Sequence, residues 1–155
     1  MKVKDIMKGE VISLRPDMNV REAIGLLFKL EISGLPVIDE TCKLLGMFTE
    51  KDIIRSVLPS YVEKVGSFMY ENLPKALKKK MCELANMKVQ DIMRKDVVTV
   101  SEGLSIAEVA RIMLIQRVRR IPVVKEGKVV GIIARGDIVK EIMRDSGFLQ
   151  EGKVE

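Results

Sequence analysis

The sequence predicts a mixed α/β fold built from two similar half-domains, each running strand, helix, strand, strand, helix. Three observations carry that expectation. First, Val3-Lys4-Asp5-Ile6-Met7 returns as Val89-Gln90-Asp91-Ile92-Met93, and Glu22 and Pro36 match Glu108 and Pro122 at an offset of 86. Second, Gly46 and Asp52 match Gly131 and Asp137 at an offset of 85, so the second copy has one residue fewer in its turn. Third, local helix and strand signals agree at matched positions in both copies. A repeat of this length present only twice is too short for a solenoid. It points instead to two halves closing about a pseudo-two-fold axis, with two related places for a ligand along the groove.

In the first copy, residues 11–14 form a short β-rich run ended by Pro16. Asn19 and Glu22 have capping-box spacing, and Val20, Ala23, Ile24, Leu27 and Leu30 make an apolar helical stripe that Gly34 ends. Residues 35–38 and 44–48 read as a hairpin, followed by a short helix over 50–57. The second copy repeats this with a strand at 97–100 and a box at Ser105 and Glu108. Ile106, Val109, Ala110, Met113 and Leu114 supply its stripe, strands fall at 121–124 and 128–133 around Glu126-Gly127, and a closing helix covers 137–143. Residues 58–88 have no counterpart and read as a helical inter-repeat segment. One helix would start near 60–63 with Val62, Val65 and Met69 inward, and a second near Asn72 and Pro74. The domain expectation is repeat one at 1–57, the linker at 58–88, repeat two at 89–147, and a frayed tail at 148–155.

Composition removes several chemistries. Histidine is absent, so His triads, His general bases and imidazole metal sites have no candidate. Cys42 and Cys82 have no CxxC partners, which fits a reducing cytosol, and no metal site is expected. No apolar run nears the ~20 residues needed to span a bilayer, and the N-terminal residues lack the apolar core of a signal peptide. A net charge of +5 fits a lysine-rich soluble surface, or attraction to phosphate on a nucleotide or nucleic acid. The run Lys78-Lys79-Lys80 lies opposite the apolar face of the second linker helix, where charge is ordinarily solvated. No GxxxxGK[ST] or GxGxxG loop occurs, so phosphoryl transfer and dinucleotide redox chemistry lack their usual machinery.

The repeated set of motifs resembles a tandem pair of CBS (cystathionine β-synthase) domains. The likeness rests on the two DIM openings, on Ser33-Gly34-Leu35-Pro36-Val37-Ile38-Asp39, and on Gly46-Met47-Phe48-Thr49-Glu50-Lys51-Asp52. The second copy answers with Arg119-Arg120-Ile121-Pro122-Val123-Val124 and Gly131-Ile132-Ile133-Ala134-Arg135-Gly136-Asp137. The fold implied is α/β (α+β), βαββα twice with the sheets face to face. The function implied is a non-enzymatic module that takes AMP, ADP, ATP or S-adenosylmethionine in its cleft and regulates a partner.

Asp52 and Asp137 match the family's ribose-binding position, since a carboxylate at a helix start can accept from both ribose hydroxyls near the positive helix end. Thr49 and Asp52 also have the spacing of a variant capping box, so Asp52 reads equally as a helix cap. Ala134 has no hydroxyl, which gives Asp137 less structural reason to be there and makes the two sites unequal. By resemblance, Met47, Thr49, Lys51 and Asp52 form one site with Val98, Val118 and Arg119 from the other copy. Ile132, Ala134, Gly136, Asp137 and Arg120 form the second with Ile12, Ile32 and Ser33. Ordinary core packing explains any one of the apolar residues among these better than ligand contact does. The guanidiniums of Arg119 and Arg120 suit phosphate, with Arg117 and Arg135 adding charge.

The resulting expectation is an adenosine-ligand sensor with no cofactor, cytoplasmic, a homodimer through its helical faces, acting on an unidentified protein target. Two rival readings are a nucleic-acid binder using the basic surface and a structural dimerisation module with side chains filling the clefts.

Overall fold

The structure, a computed structural model, describes residues 1–58 and 73–148. The helix expected from 60–63 and the tail at 150–155 lie outside the described residues. The elements are α1 (Val3–Ile6), α2 (Val20–Leu30), β1 (Gly34–Ile38), β2 (Leu44–Thr49), α3 (Glu50–Val57) and α4 (Leu73–Ala85). They continue with α5 (Val89–Ile92), α6 (Ile106–Gln116), β3 (Arg120–Lys125), β4 (Lys128–Ala134) and α7 (Arg135–Asp145). The mixed α/β architecture is as the repeat predicts.

The chain divides into two compact units that cut across the sequence repeats. One unit comprises Met1–Val11, Cys42–Leu44 and the chain from Val98 onward; the other comprises Ile12–Thr41 and Leu45–Val97. Each repeat's opening DIM segment therefore belongs to the unit built on the other repeat. The cores say the same. Leu14, Val20, Ala23, Leu27, Leu35, Val37, Phe48 and Val89 share one buried cluster. Val100, Ile106, Val109, Met113, Ile121, Val123, Ile133 and Val3 occupy the matching places in the other.

Each unit holds one two-stranded sheet, β1–β2 or β3–β4. The third strand expected at 11–14, and its counterpart at 97–100, shrinks to a single parallel bridge: Leu14 to Val37, and Val100 to Val123. Proline explains the loss. Leu14 N donates to Pro36 O (2.9 Å) and Ile38 N to Leu14 O (3.0 Å), but the next ladder bond towards Ile12 would need a Pro36 N–H. Pro16 removes the bond on the other side, and Pro122 repeats the block in the second copy. On its other edge each sheet gains an antiparallel bridge to a DIM segment, Met47 to Arg94 and Ile132 to Lys8. Glycine lets those segments close in. A Cβ on Gly46 would sit 2.6 Å from Arg94 O, and one on Gly131 would sit 2.6 Å from Met7 Sδ.

The short helices α1 and α5 escape the periodicity argument, yet their aspartates mark them. Asp5 Oδ2 accepts from Lys2 N (2.8 Å) and Asp91 Oδ2 from Lys88 N (3.1 Å), one arm of a capping box. Asp5→Ala and Asp91→Ala should each lower unfolding stability by about 1 kcal/mol, read by urea titration, with Asn at either position recovering most of it.

Further differences follow from local chemistry. Helix α2 ends at Glu31 in the left-handed region (φ 53°), not at Gly34, and α6 ends likewise at Arg117 (φ 54°). Asn19 and Ser105 do cap their helices, but the Glu108 carboxylate turns to Arg111 (2.8 Å). That hydrogen bond holds its pKa below the usual value and raises that of Arg111. Leu114 is not in the stripe: it is 76% exposed, and Ile112 packs on the core instead. Helix α7 begins two residues earlier than expected, at Arg135. The Glu126-Gly127 turn has both residues at positive φ (53° and 78°), which suits a tight two-residue hairpin.

Candidate functional site

In both units the sheet's second strand runs straight into a helix, and the carboxylate lies three residues into that junction. In the unit built on the first repeat, Asp52 is 3% exposed, the one buried charged side chain among the described residues. Its Oδ2 accepts from Thr49 N (2.9 Å) and from the Thr49 hydroxyl (3.2 Å). Its Oδ1 faces Arg55 Nη1 at 3.4 Å, and that guanidinium is 56% exposed, so the pair adds little. Glu50 N donates to Ser33 O (2.9 Å), tying the start of α3 to the segment before β1. Asp52 Oδ2 is thus held by the helix start, while Oδ1 has only the longer Arg55 contact.

The unit built on the second repeat repeats the frame with different side chains. Asp137 Oδ2 accepts from Ala134 N at 3.2 Å, and Arg135 N donates to Arg119 O at 2.8 Å. Ala134 has no hydroxyl to give. Asp137 is half-buried, and its second oxygen has no hydrogen-bond partner among the described residues. The side chains of Arg119, Arg120 and Arg135 make no ion pair among the described residues, and Arg120 is half-buried. One half-site therefore offers a carboxylate bonded by its threonine, the other a carboxylate with one oxygen open among the described residues.

The remaining expected residues divide between the units. Met47, Thr49, Lys51, Asp52, Ile12, Ile32 and Ser33 belong to one; Val98, Val118, Arg119, Arg120, Ile132, Ala134, Gly136 and Asp137 belong to the other. Val98, Val118 and Ile32 pack against their own unit's core, as plain core packing predicts. Ile12 is 52% exposed. Met47 and Ile132 are buried at 6% each yet belong to neither core cluster, which sets them apart from ordinary core residues. Sequence reasoning missed Arg55, whose i,i+3 spacing from Asp52 was the available signal. Along α4, Lys78 and Lys79 are exposed and Lys80 lies 3.9 Å from Glu83, the pattern of a solvated face. Among the described residues no helix is long and apolar enough to cross a membrane, and no cluster of three or more His, Cys, Asp or Glu is placed to hold a metal.

A family model for the CBS domain matches residues 3–59 and 89–144. The uncharacterized protein MJ1426 of Methanocaldococcus jannaschii is 31% identical over 164 residues, covering 92% of this chain and 92% of the relative. The chain spans 47% of another relative, MJ1225, and about a quarter of two inosine-5′-monophosphate dehydrogenases (23% and 24%). Among solved structures, CBSX2 from Arabidopsis thaliana in complex with AMP superposes with a TM-score of 0.72 at 26% identity, covering 94% of this chain and 98% of that one. The CBS domain pair of MJ0100, in complex with 5′-methylthioadenosine and S-adenosyl-L-methionine, superposes with a TM-score of 0.68 at 25% identity, with the same coverage.

Proposed function

Because this chain belongs to the CBS-domain family, we propose that it is a regulatory module that binds an adenosine-containing ligand and performs no chemistry of its own. One observation carries the reading most: the Asp137 carboxylate stands at a helix start with one oxygen on Ala134 N and the other without a partner among the described residues. A ribose diol offers two hydroxyl donors to such an acceptor beside the positive end of a helix. Arg120, half-buried and without an ion pair among the described residues, supplies a cation for a phosphate. Met47 and Ile132, buried outside both cores, are the apolar contacts for a base or sugar. The AMP and S-adenosyl-L-methionine complexes of related CBS pairs support the ligand class.

The apolar side chains left exposed on helices support self-association. Phe28 on α2, Leu114 and Ile115 on α6 and Ile142 on α7 are each more than half exposed (78%, 76%, 60% and 58%), a cost that a second copy would offset. Two exposed free cysteines suit a reducing compartment such as the cytoplasm. Ligand occupancy would shift the population competent for a protein partner.

A thermal-shift panel tests the ligand reading. Adenosine, AMP, ATP and S-adenosylmethionine are compared with their guanosine counterparts at saturating concentration. At ~100 times the dissociation constant a ligand adds about 2.7 kcal/mol, which moves the Tm by roughly 5–11 °C at this chain length. A flat response to every adenosine compound overturns the proposal.

A further inference from the structure

Both DIM segments press a methionine sulfur into a notch left by glycine. Met7 Sδ lies 2.6 Å from where a Cβ on Gly131 would stand, and Met93 Sδ lies 2.8 Å from one on Gly46, with each Cγ at 3.1 Å. The two thioethers pack on the core cluster of their own unit, yet both residues are half-buried and not sealed from solvent. Each methionine also closes a one-turn helix: Met7 N donates to Val3 O (2.8 Å) and Met93 N to Val89 O (2.9 Å). The next residue makes the bridge to the sheet. Lys8 and Ile132 exchange both backbone hydrogen bonds (2.9 and 3.0 Å), as do Arg94 and Met47 (2.8 and 2.9 Å). The N–H groups of all these residues are therefore already committed to backbone carbonyls.

We propose that Met7 and Met93 are sites of reversible oxidation by hydroperoxides, and that their sulfoxides unlatch the DIM segments from the sheets. The sulfur donates an electron pair to one oxygen of hydrogen peroxide. An S–O bond forms, the O–O bond breaks, and the transferred oxygen's proton leaves with the departing hydroxide as water. Sulfur is oxidised by two electrons and the peroxide is reduced by two. The new oxygen needs space and a donor, and the notch offers neither. Glycine's backbone closes one side, and the N–H groups of the seam are taken. The sulfoxide must turn to water, which lifts the methionine off the core and loosens the bridge that follows it. Met47 and Ile132, across those bridges, are the contacts assigned above to a base or sugar, so oxidation also weakens the ligand. That last step rests on the adenosine reading; the latch itself does not.

The parent and a Met7→Leu/Met93→Leu variant are treated with hydrogen peroxide, then with dithiothreitol to reduce Cys42 and Cys82, and sulfoxides are located by peptide mass spectrometry. Leucine conserves volume and resists oxidation, and the variant keeps Met18 and Met81, which also pack half-buried against a core. Each sulfoxide at Met7 or Met93 should lower the parent's Tm by roughly 2–12 °C. The variant's Tm should hold, and methionine sulfoxide reductase should restore the parent. Equal losses in parent and variant, an unmoved Tm with both residues oxidised, no oxidation at either residue, or a loss that the reductase cannot reverse overturns the latch. AMP affinity, read by calorimetry, should fall about tenfold or more in the oxidised parent and stay unchanged in the treated variant. A parent that binds AMP equally before and after oxidation overturns the ligand step. A parent that never binds AMP takes the adenosine reading and the ligand step down together, and the Tm comparison still decides the latch.

Discussion

Gly46→Ala should destabilise the protein by about 3 kcal/mol, the upper end for overpacking, and lower the Tm by roughly 6–12 °C. The added methyl would lie 2.6 Å from the Arg94 carbonyl oxygen, and 2.8 Å from Met93 Sδ. Arg94 has little room to retreat, because it exchanges both backbone hydrogen bonds with Met47 (2.9 and 2.8 Å). Relief would open that bridge and displace α5, whose Val89 is fully buried. Gly131→Ala provides the internal comparison. There the closest atom is Met7 Sδ at 2.6 Å, on a flexible side chain, and the nearest backbone atom, Lys8 O, stands off at 3.1 Å. It should cost about a third as much. Equal losses in urea unfolding, or a larger one at Gly131, would show that backbone approach is not what selects glycine at these sites.

Asp137→Asn should weaken nucleotide binding by roughly ten- to hundredfold, since a charged hydrogen bond is worth about 1.5–3 kcal/mol. The amide oxygen still accepts from Ala134 N, as Asp137 does at 3.2 Å, so the helix start survives and stability should change little. Asp137→Ala removes that cap as well and should cost about 1 kcal/mol of stability besides. Asp52→Asn predicts the opposite pattern. Its carboxylate is buried, takes two bonds from Thr49 and faces Arg55, so unfolding should suffer more than affinity. Isothermal titration and denaturant curves on the three variants separate the roles, and normal binding by Asp137→Asn would dismiss the ribose assignment.

Much of this architecture was legible in the chain because the repeat supplies every signal twice. The hairpins, the helices at 20–30 and 106–116, and the 50–57 helix follow from alternation, stripes and caps that agree across copies. What escaped is instructive. Residues 11–14 are β-rich, but ladder extension depends on partner N–H groups that Pro16 and Pro36 lack, a property of the pair and not of the run. The one-turn helices α1 and α5 are too short for periodicity, and only their aspartates betray them. Leu114 has the stripe spacing but is exposed, since spacing fixes a direction around a helix and not how wide the buried face is. At the site, both aspartates and the Thr49-to-Ala134 change were readable. The close approach at Gly34 was not, because it depends on how tightly the two strands of the hairpin pack at that pair.

The assignment of Met1–Val11 and residues 89–97 to units built mainly from the other repeat has a consequence for how such a protein arises and matures. A ribosome finishing the first repeat has made neither unit whole: one still needs residues 89–97, and the other waits with its amino-terminal strap already synthesised. Nor can evolution lift out a single working half by one cut, because any break between the copies orphans a strap on each side. A gene encoding half of this protein would have to be duplicated or dimerise to replace what the cut removed.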